Sequence, residues 1–209
     1  MPLIVEPHLH NAHIWKNKRI GILGGSFNPP HAGHMHISKI ALNTLKLDNV
    51  WWLVTPQNPL KSSQDLLSEE ERIRLCRQIV NHPKITVTTL EQQFKTPHSY
   101  ATILQLKHHF PHTQFAWITG MDNALNFHLW NNWRDILSKI CMTHVTRSPP
   151  VNLIRKCPVR MLGTQKHITL DHAKRVKLES HTTYWLLQKK IMNISSTEIR
   201  EKNKYITIT

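Results

Sequence analysis

Short apolar segments alternate with segments of helical periodicity along most of the chain, and this alternation restricts the fold more than any other feature. In residues 34–45, for example, Ile37, Ile40 and Leu45 recur at helical spacing. The run "VWWLV" at 50–54 is apolar without alternation, as in a strand with both faces covered. The candidate strands are residues 18–23, 49–55, 84–90, 114–120, 141–147 and 182–188. This βαβ pattern predicts an α/β fold with a Rossmann-like, doubly wound parallel sheet and helices on both faces.

One domain over residues 18–202 accounts for this pattern, and the segments outside it are harder to interpret. Residues 1–17 have no clear period and are expected to form a loosely attached N-terminal arm, and 203–209 a short tail. Residues 148–180 are irregular and basic, which is typical of an excursion or a loosely ordered flap. The candidate helices are residues 34–45, 68–80, 99–110, 131–140 and 194–202.

The turn after the first strand carries the most unusual composition of the chain. In "GILGGSFNPPHAGHMHIS" (21–38), Gly24 and Gly25 end the strand, and His31, Gly33 and His34 begin the next helix. Glycines allow backbone N–H groups to approach an anion closely, and a helix N-terminus attracts negative charge. Ligands of open α/β sheets bind beyond the carboxyl ends of the strands. The turn therefore predicts a phosphate site, although it is not the Rossmann GxGxxG pattern.

The two histidines of this turn have an alternative interpretation. Imidazoles three residues apart at a helix start lie on one face of the helix, where both could donate to a bound phosphate. They could instead cap the helix or line a polar turn without any catalytic role. The spacing, directly after a paired-glycine turn, favours the phosphate interpretation.

The charge and the cysteines narrow the class of protein. The chain has 209 residues, a formal net charge of +14 and a pI near 10, which predicts a polyanionic partner such as nucleic acid, acidic lipid or a phosphate-rich small molecule. Alternatively, the positive charge reflects a generally basic proteome and indicates no particular partner. Three cysteines without a CxxC pair favour reduced, buried thiols over disulfides or a zinc site. With no long apolar run and no cleavable leader pattern, we expect a soluble cytoplasmic protein, with homo-oligomerisation left open.

Two motifs at opposite ends of the chain carry a family resemblance. "GGSFNPPHAGH" resembles the signature of the nucleotidyltransferase superfamily with the HxGH motif, and "ISSTEIR" (194–200) resembles the ISSTxIR motif of bacterial nicotinate-nucleotide adenylyltransferases. Considered alone, Ser195 and Glu198 form only a capping box, which is common. The resemblance implies that His31, His34 and Arg200 are catalytic.

Shorter matches fill the middle of the chain. "PQNPLK" and "SEEER" resemble the loop after the second strand and the helix start that follows it, "ITGMDNALNFHLW" resembles a G-x-D element followed by a tryptophan, and "VTRSPP" resembles the end of the fifth strand. A Ser-Tyr-Thr element of the family stands here as Ser-Tyr-Ala, with Ala101 in place of the threonine. The substrate- and nucleotide-binding residues that the resemblance implies are Gly24, Gly25, Ser26, Phe27, Lys61, Tyr100, Gly120, Asp122, Trp130, Arg147, Ser195 and Thr197.

Simpler roles remain open for several of these residues. Trp130 could belong to the core, as we expect for Trp133. Asp122 could be the N-cap of the helix after the fourth strand. Lys61 and the matched Arg72 could be ordinary surface charges.

The resemblance implies transfer of the adenylyl group of ATP to nicotinate mononucleotide, giving nicotinate adenine dinucleotide and pyrophosphate. Mg²⁺ would be carried by the ATP phosphates, because no carboxylate cluster for a protein-bound metal is visible in the sequence. Within this class, nicotinamide mononucleotide or the substrate of another HxGH transferase, such as phosphopantetheine adenylyltransferase, is the alternative. Outside it, the alternative is a non-catalytic nucleic-acid-binding protein on the same fold, which the basic charge favours and the two intact motifs do not.

Overall fold

A seven-stranded, entirely parallel sheet forms the centre of the molecule. The computed structural model describes residues 5–55, 67–96, 98–146, 157–169, 176–187, 196 and 199–200. The strand order is β3-β2-β1-β4-β5-β7-β6, with parallel pairing between all neighbours, and it confirms the predicted doubly wound sheet. The strands are β1 Arg19–Gly25, β2 Asn49–Val54, β3 Ile85–Thr88, β4 Gln114–Gly120, β5 Cys141–Val145, β6 Thr164–Thr169 and β7 Thr182–Leu187.

Helices lie between most of the strands, and the helix after β2 begins at the capping residue that the sequence predicts. Ser68 accepts a hydrogen bond from the Glu71 N–H, and three glutamates follow in the first turn, where the helix dipole favours negative charge. The α-helices are α1 Ala32–Thr44, α2 Glu69–Ile79, α3 Leu90–Phe94, α4 Ser99–His109, α5 Asn123–Asn126 and α6 Trp133–Lys139. The 3₁₀ helices are Leu9–Trp15, Phe127–Leu129 and Pro158–Met161.

The sheet divides the hydrophobic core into two layers. Successive side chains of a strand point to opposite faces, so Trp52 packs with α1 on one face and Trp51 with α4 and α6 on the other. Both tryptophans are fully buried. At Gly21 of β1 a Cβ would meet Ile118 Cδ1 of the neighbouring strand and Leu47 Cδ1, so a larger residue would force both side chains to shift.

The described part of the N-terminal arm, residues 5–17, is packed on the rest of the fold, contrary to the loose attachment expected from its composition. Trp15 is 8% exposed and packs edge-on against Trp51 at 4.9 Å between ring centroids. The Glu6 carboxylate accepts hydrogen bonds from Arg77 of α2 and from the backbone N–H of Thr89 after β3. Proline and histidine content predicts an irregular segment, but Trp15 and Glu6 help to anchor it, together with a hydrogen bond from the Thr88 hydroxyl to the Pro7 carbonyl.

The basic segment at 148–180 contains a strand that the sequence does not predict. β6 lies at the edge of the sheet, and of its residues only Ile168 is buried. An edge strand with one covered position has the polar composition of a loop, so the hydrophobic pattern fails to identify it. The third predicted strand, residues 84–90, is also shorter in the structure. It ends at Thr88, and the short helix α3 begins at Leu90.

The cysteines are free and buried, as predicted. Burial raises the pKa of the Cys76 and Cys141 thiols to about 12, so both are held as inert thiols. Among the helices that the structure describes, none is long and apolar enough to span a bilayer.

Candidate active site

The loop between β1 and α1 lies at the point where the strand order reverses. The chain moves outward from β1 to β3 and then returns to β4 on the other side of β1. The carboxyl ends of β1 and β4, at Gly25 and Gly120, therefore share one edge of the sheet. Ligands of such sheets bind in the crevice at this position.

His31 and His34 form a reciprocal cap at the start of α1. His31 is the N-cap, and its Nδ1 accepts a hydrogen bond from the Gly33 N–H at 3.1 Å. His34 Nδ1 accepts from the His31 N–H, also at 3.1 Å. The two imidazoles lie 3.9 Å apart between ring centroids, and His31 is 4% exposed. The capping interpretation of these histidines is thus correct as far as Nδ1 is concerned.

The caps determine which ring nitrogen can donate. A neutral imidazole has one N–H, and Nδ1 of each ring is occupied as an acceptor, so the proton lies on Nε2. Both rings therefore present Nε2–H as their donor, in a tautomer set by the helix start. Capping and phosphate binding use different nitrogens and are compatible.

The glycines that end β1 have a packing role that the sequence does not reveal. A Cβ on Gly24 would lie 2.9 Å from the Trp117 ring of β4, so a side chain would displace that indole. At Gly25 a Cβ would make only ordinary contact with the Phe27 ring, at 3.5 Å. Packing against Trp117 therefore accounts for Gly24, whereas packing does not demand a glycine at position 25.

Ser26 and Phe27 of this loop make contacts within the protein. The Phe27 ring is buried, stacked on Trp52 and tilted against the His34 ring. The backbone carbonyl of Ser26 accepts a hydrogen bond from Arg72 at 2.8 Å. Any contact of Phe27 with a nucleotide would therefore come from its backbone.

The two end motifs meet in space. The Ser196 hydroxyl donates to the Pro29 carbonyl at 2.9 Å, and the Arg200 guanidinium donates to the Asn28 carbonyl. The Arg200 side chain thus contacts the loop that leads into the two histidines, although Arg200 lies about 170 positions further along the chain. Ser195 and Thr197 lie outside the described residues.

Arg72 is buried against the loop between β1 and α1 and is therefore not a surface charge. It is 1% exposed, and its guanidinium donates to the carbonyls of Ser26, Thr55 and Leu67 at 2.7–3.0 Å. Burial lowers the pKa of Arg72 from its ordinary value. The arginine joins the ends of β1 and β2 to the start of α2. Its only sequence signal is the "SEEER" resemblance, because a charge in an amphipathic helix start is normally solvated.

The residues predicted for the pyridine pocket lie on the other face of the sheet. Trp130 is half-buried, edge-on to Trp117 at 6.5 Å and tilted on Phe127 at 5.3 Å, so its ring packs on the core without being enclosed by it. Asp122 occupies the N-cap position of α5, but its side chain makes no capping hydrogen bond. Tyr100 is half-buried in the first turn of α4. Lys61 and Arg147 lie outside the described residues.

A parallel sheet with an imidazole pair and an arginine at its switch point is the arrangement that the nucleotidyltransferase resemblance implies. Residues 22–202 match the family model described as cytidylyltransferase-like. A probable nicotinate-nucleotide adenylyltransferase of Agrobacterium fabrum is 36% identical over 88% of this chain and 99% of its own length. One of Brucella suis is 40% identical over 73% of this chain and 77% of its own.

A solved structure shares the fold. Plasmodium falciparum nicotinic acid mononucleotide adenylyltransferase complexed with NaAD superposes with a TM-score of 0.65 at 21% identity, covering 88% of this chain and 83% of that one. With the sequence relatives, this places the chain in the nicotinate-nucleotide adenylyltransferase family.

Proposed function

We propose that the chain transfers the adenylyl group of ATP to nicotinate mononucleotide. The observation that carries the proposal is the contact of Ser196 and Arg200 with the loop that also holds His31 and His34. It assembles two imidazole donors and a guanidinium around one loop at the switch point. Such a set of donors matches the oxygens of a triphosphate.

The reaction needs positioning and charge stabilisation rather than a protein nucleophile. A phosphate oxygen of the mononucleotide attacks the α-phosphorus of ATP in line, the bond to the bridging oxygen breaks, and pyrophosphate leaves with the electron pair. Negative charge grows on the α- and β-phosphate oxygens during this step. The Nε2–H groups of His31 and His34 and the guanidinium of Arg200 supply donors to that charge.

The donor set at the loop fits phosphate oxygens and not a divalent cation. Two imidazoles whose Nδ1 atoms already accept hydrogen bonds, and an arginine, can only donate hydrogen bonds to a ligand. Mg²⁺ instead prefers carboxylate and phosphate oxygens as ligands. We therefore propose that Mg²⁺ arrives on the triphosphate of ATP. When bound there, the ion neutralises part of the phosphate charge.

We propose that the pyridine ring of the acceptor substrate binds on the face of the sheet that carries Trp130 and the start of α4. The pyridinium ring of either mononucleotide is cationic, so an indole face attracts acid and amide alike. Preference for the acid must come from donors that meet its carboxylate. The backbone N–H groups of Tyr100 and Ala101, in the first turn of α4, are the candidates, because the NH₂ of the amide would face other donors there. The N–H groups of Thr102 and Trp130 already donate to the carbonyls of His98 and Phe127.

A substrate panel tests the proposal. Pyrophosphate release from ATP is measured with nicotinate mononucleotide, nicotinamide mononucleotide, phosphopantetheine and glycerol phosphate as acceptors. We expect the highest kcat/KM with nicotinate mononucleotide and stoichiometric formation of the dinucleotide. Preference for another acceptor would reassign the substrate, and salt-dependent nucleic-acid binding without turnover would support the non-catalytic alternative.

A further inference from the structure

Trp52 of β2 is linked to the first turn of α1 by a chain of two hydrogen bonds. Its indole Nε1–H donates to the Ser38 hydroxyl oxygen at 2.8 Å. The Ser38 hydroxyl in turn donates to the backbone carbonyl of His34, also at 2.8 Å. Trp52 and Ser38 are both fully buried, so water does not compete for the bond between them.

A second route joins the same tryptophan to the His34 ring. Trp52 and Phe27 are stacked, with centroids 5.0 Å apart and an interplanar angle of 17°. Phe27 lies 4.7 Å from the His34 imidazole, and Trp52 itself approaches that imidazole edge-on at 5.9 Å. The backbone of His34 is thus held through Ser38 and its ring through Phe27, and Trp52 lies at the origin of both.

A serine bonded to the carbonyl four residues earlier is common in helices and often serves no function. What is unusual here is the third partner, because the indole fixes the hydroxyl of Ser38 from a different element of the fold. The neighbouring Trp51 provides the comparison. It is equally buried in the same strand, yet its indole nitrogen has no hydrogen-bond partner within the described part of the chain.

We propose that Trp52 is a positioning residue for adenylyl transfer, which fixes the His34 imidazole through Ser38 and Phe27. The inference rests on the proposed role of His34 in the reaction. A donor displaced by a fraction of an ångström meets the growing phosphate charge poorly, which lowers the rate of the chemical step more than substrate binding. If the link were only part of the core, replacing Trp52 or Ser38 would lower the stability of the fold without a selective loss of kcat.

The matched pair Trp52→Phe and Trp51→Phe tests the proposal, with Ser38→Ala as an independent break in the same chain. Both tryptophan variants remove an indole from the same strand and create similar cavities. We expect kcat to fall on the order of tenfold in Trp52→Phe and Ser38→Ala, with KM for ATP changed by less than about twofold. Trp51→Phe should keep the wild-type kcat at a similar melting temperature. The double variant Trp52→Phe/Ser38→Ala should be no slower than the slower single variant, because both break one link.

Equal losses in Trp51→Phe and Trp52→Phe, or a normal kcat in Ser38→Ala, would overturn the proposal. A second measurement separates this failure from a failure of the proposed function. The His34 imidazole resonances, assigned by comparison with His34→Gln, should shift in Ser38→Ala, which leaves the indole and its ring current in place, and remain unchanged in Trp51→Phe. If the wild type releases no pyrophosphate, the proposed function fails, while the resonances still decide whether Trp52 positions His34.

Discussion

At the scale of single residues, the histidine pair combines an observed structural role with the chemical role that we propose for it. The Nδ1 atoms of His31 and His34 close the start of α1, and this leaves Nε2 as the donor of each ring. Asparagine or serine would cap the helix equally well. In the mechanism we propose, an imidazole adds an Nε2–H donor on the side of the ring opposite the capping Nδ1, which would account for two histidines where simpler caps suffice.

The buried guanidinium of Arg72 leads to a prediction about stability. A lysine at this position has one compact ammonium group, which cannot reach the carbonyls of Ser26, Thr55 and Leu67 together. We expect Arg72→Lys to lower the free energy of unfolding by about 1.5–3 kcal/mol, the value of a hydrogen bond to a charged group. The measurement is urea denaturation, with Arg74→Lys as the control.

Arg74 lies on the exposed side of the same helix and pairs with Glu71. Its replacement by lysine should change stability by less than about 0.5 kcal/mol. Equal effects of the two substitutions would show that Arg72 does not tie the loop.

Trp130 should contribute to the binding of the mononucleotide without selecting between its acid and amide forms. Loss of a cation–π contact worth about 0.5–2 kcal/mol predicts that Trp130→Ala lowers kcat/KM for both mononucleotides by roughly 2- to 30-fold. Their ratio should stay within about twofold of the wild-type ratio, since the ring charge is common to both. Steady-state kinetics with both acceptors measures this.

The control is Trp133→Ala, because Trp133 packs edge-on against Phe127 and carries Arg134 on its face. It should reduce stability while largely preserving kcat/KM. A selective loss of the acid substrate in Trp130→Ala would show instead that this residue reads the carboxylate.

At the scale of secondary-structure elements, the short helix α3 holds a buried carboxyl group that faces α4. Glu91 is 3% exposed and accepts a hydrogen bond from the Thr102 hydroxyl at 2.9 Å. Burial raises the pKa of Glu91 to about 7, against the opposing effect of the Thr102 hydrogen bond. The carboxyl group therefore joins the helix that carries Tyr100 to the end of β3 and titrates near neutral pH.

This raised pKa predicts a pH dependence of stability. The folded state retains the Glu91 proton up to about pH 7, whereas the unfolded chain releases it near pH 4.5, so folding is disfavoured as the pH rises through that interval. Relative to Glu91→Gln, the wild type should lose stability by about 3 kcal/mol between pH 4.5 and 8. Denaturation of both proteins across this range gives the difference. The exposed Glu70→Gln is the control, and a pH-independent difference for Glu91→Gln would contradict the prediction.

The N-terminal arm should stabilise the sheet edge that it covers. Trp15 lies in the hydrophobic layer with Trp51, so Trp15→Ala should lower the free energy of unfolding by about 3 kcal/mol. Ile14, next to it, is 44% exposed, and Ile14→Ala should have an effect within about 0.5 kcal/mol. Thermal or urea denaturation of the two variants measures the contrast. If Trp15→Ala is as stable as Ile14→Ala, the arm does not contribute to the fold.

At the scale of the whole molecule, the sequence predicts the sheet because its strands are buried and apolar, and it predicts the site because both motifs follow strands. It does not reveal features that depend on tertiary contact. β6 has one buried position, Trp15 is one aromatic residue in an irregular segment, and Arg72 is a charge whose burial only the folded loop creates. Trp52 resembles any apolar strand residue, since its hydrogen bond to Ser38 exists only after the helix and the sheet have packed.

The central claim is that both ends of the chain supply donors to the transition state of one reaction. The most direct test is the kcat of His34→Ala and of Arg200→Ala with ATP and nicotinate mononucleotide, beside the control His108→Ala at the far end of α4. We predict that each of the first two variants loses about 10²–10³ in kcat, the effect of one missing transition-state donor, with a much smaller change in KM for ATP. His108→Ala should retain wild-type kinetics. A near-normal kcat in folded His34→Ala or Arg200→Ala would contradict the account.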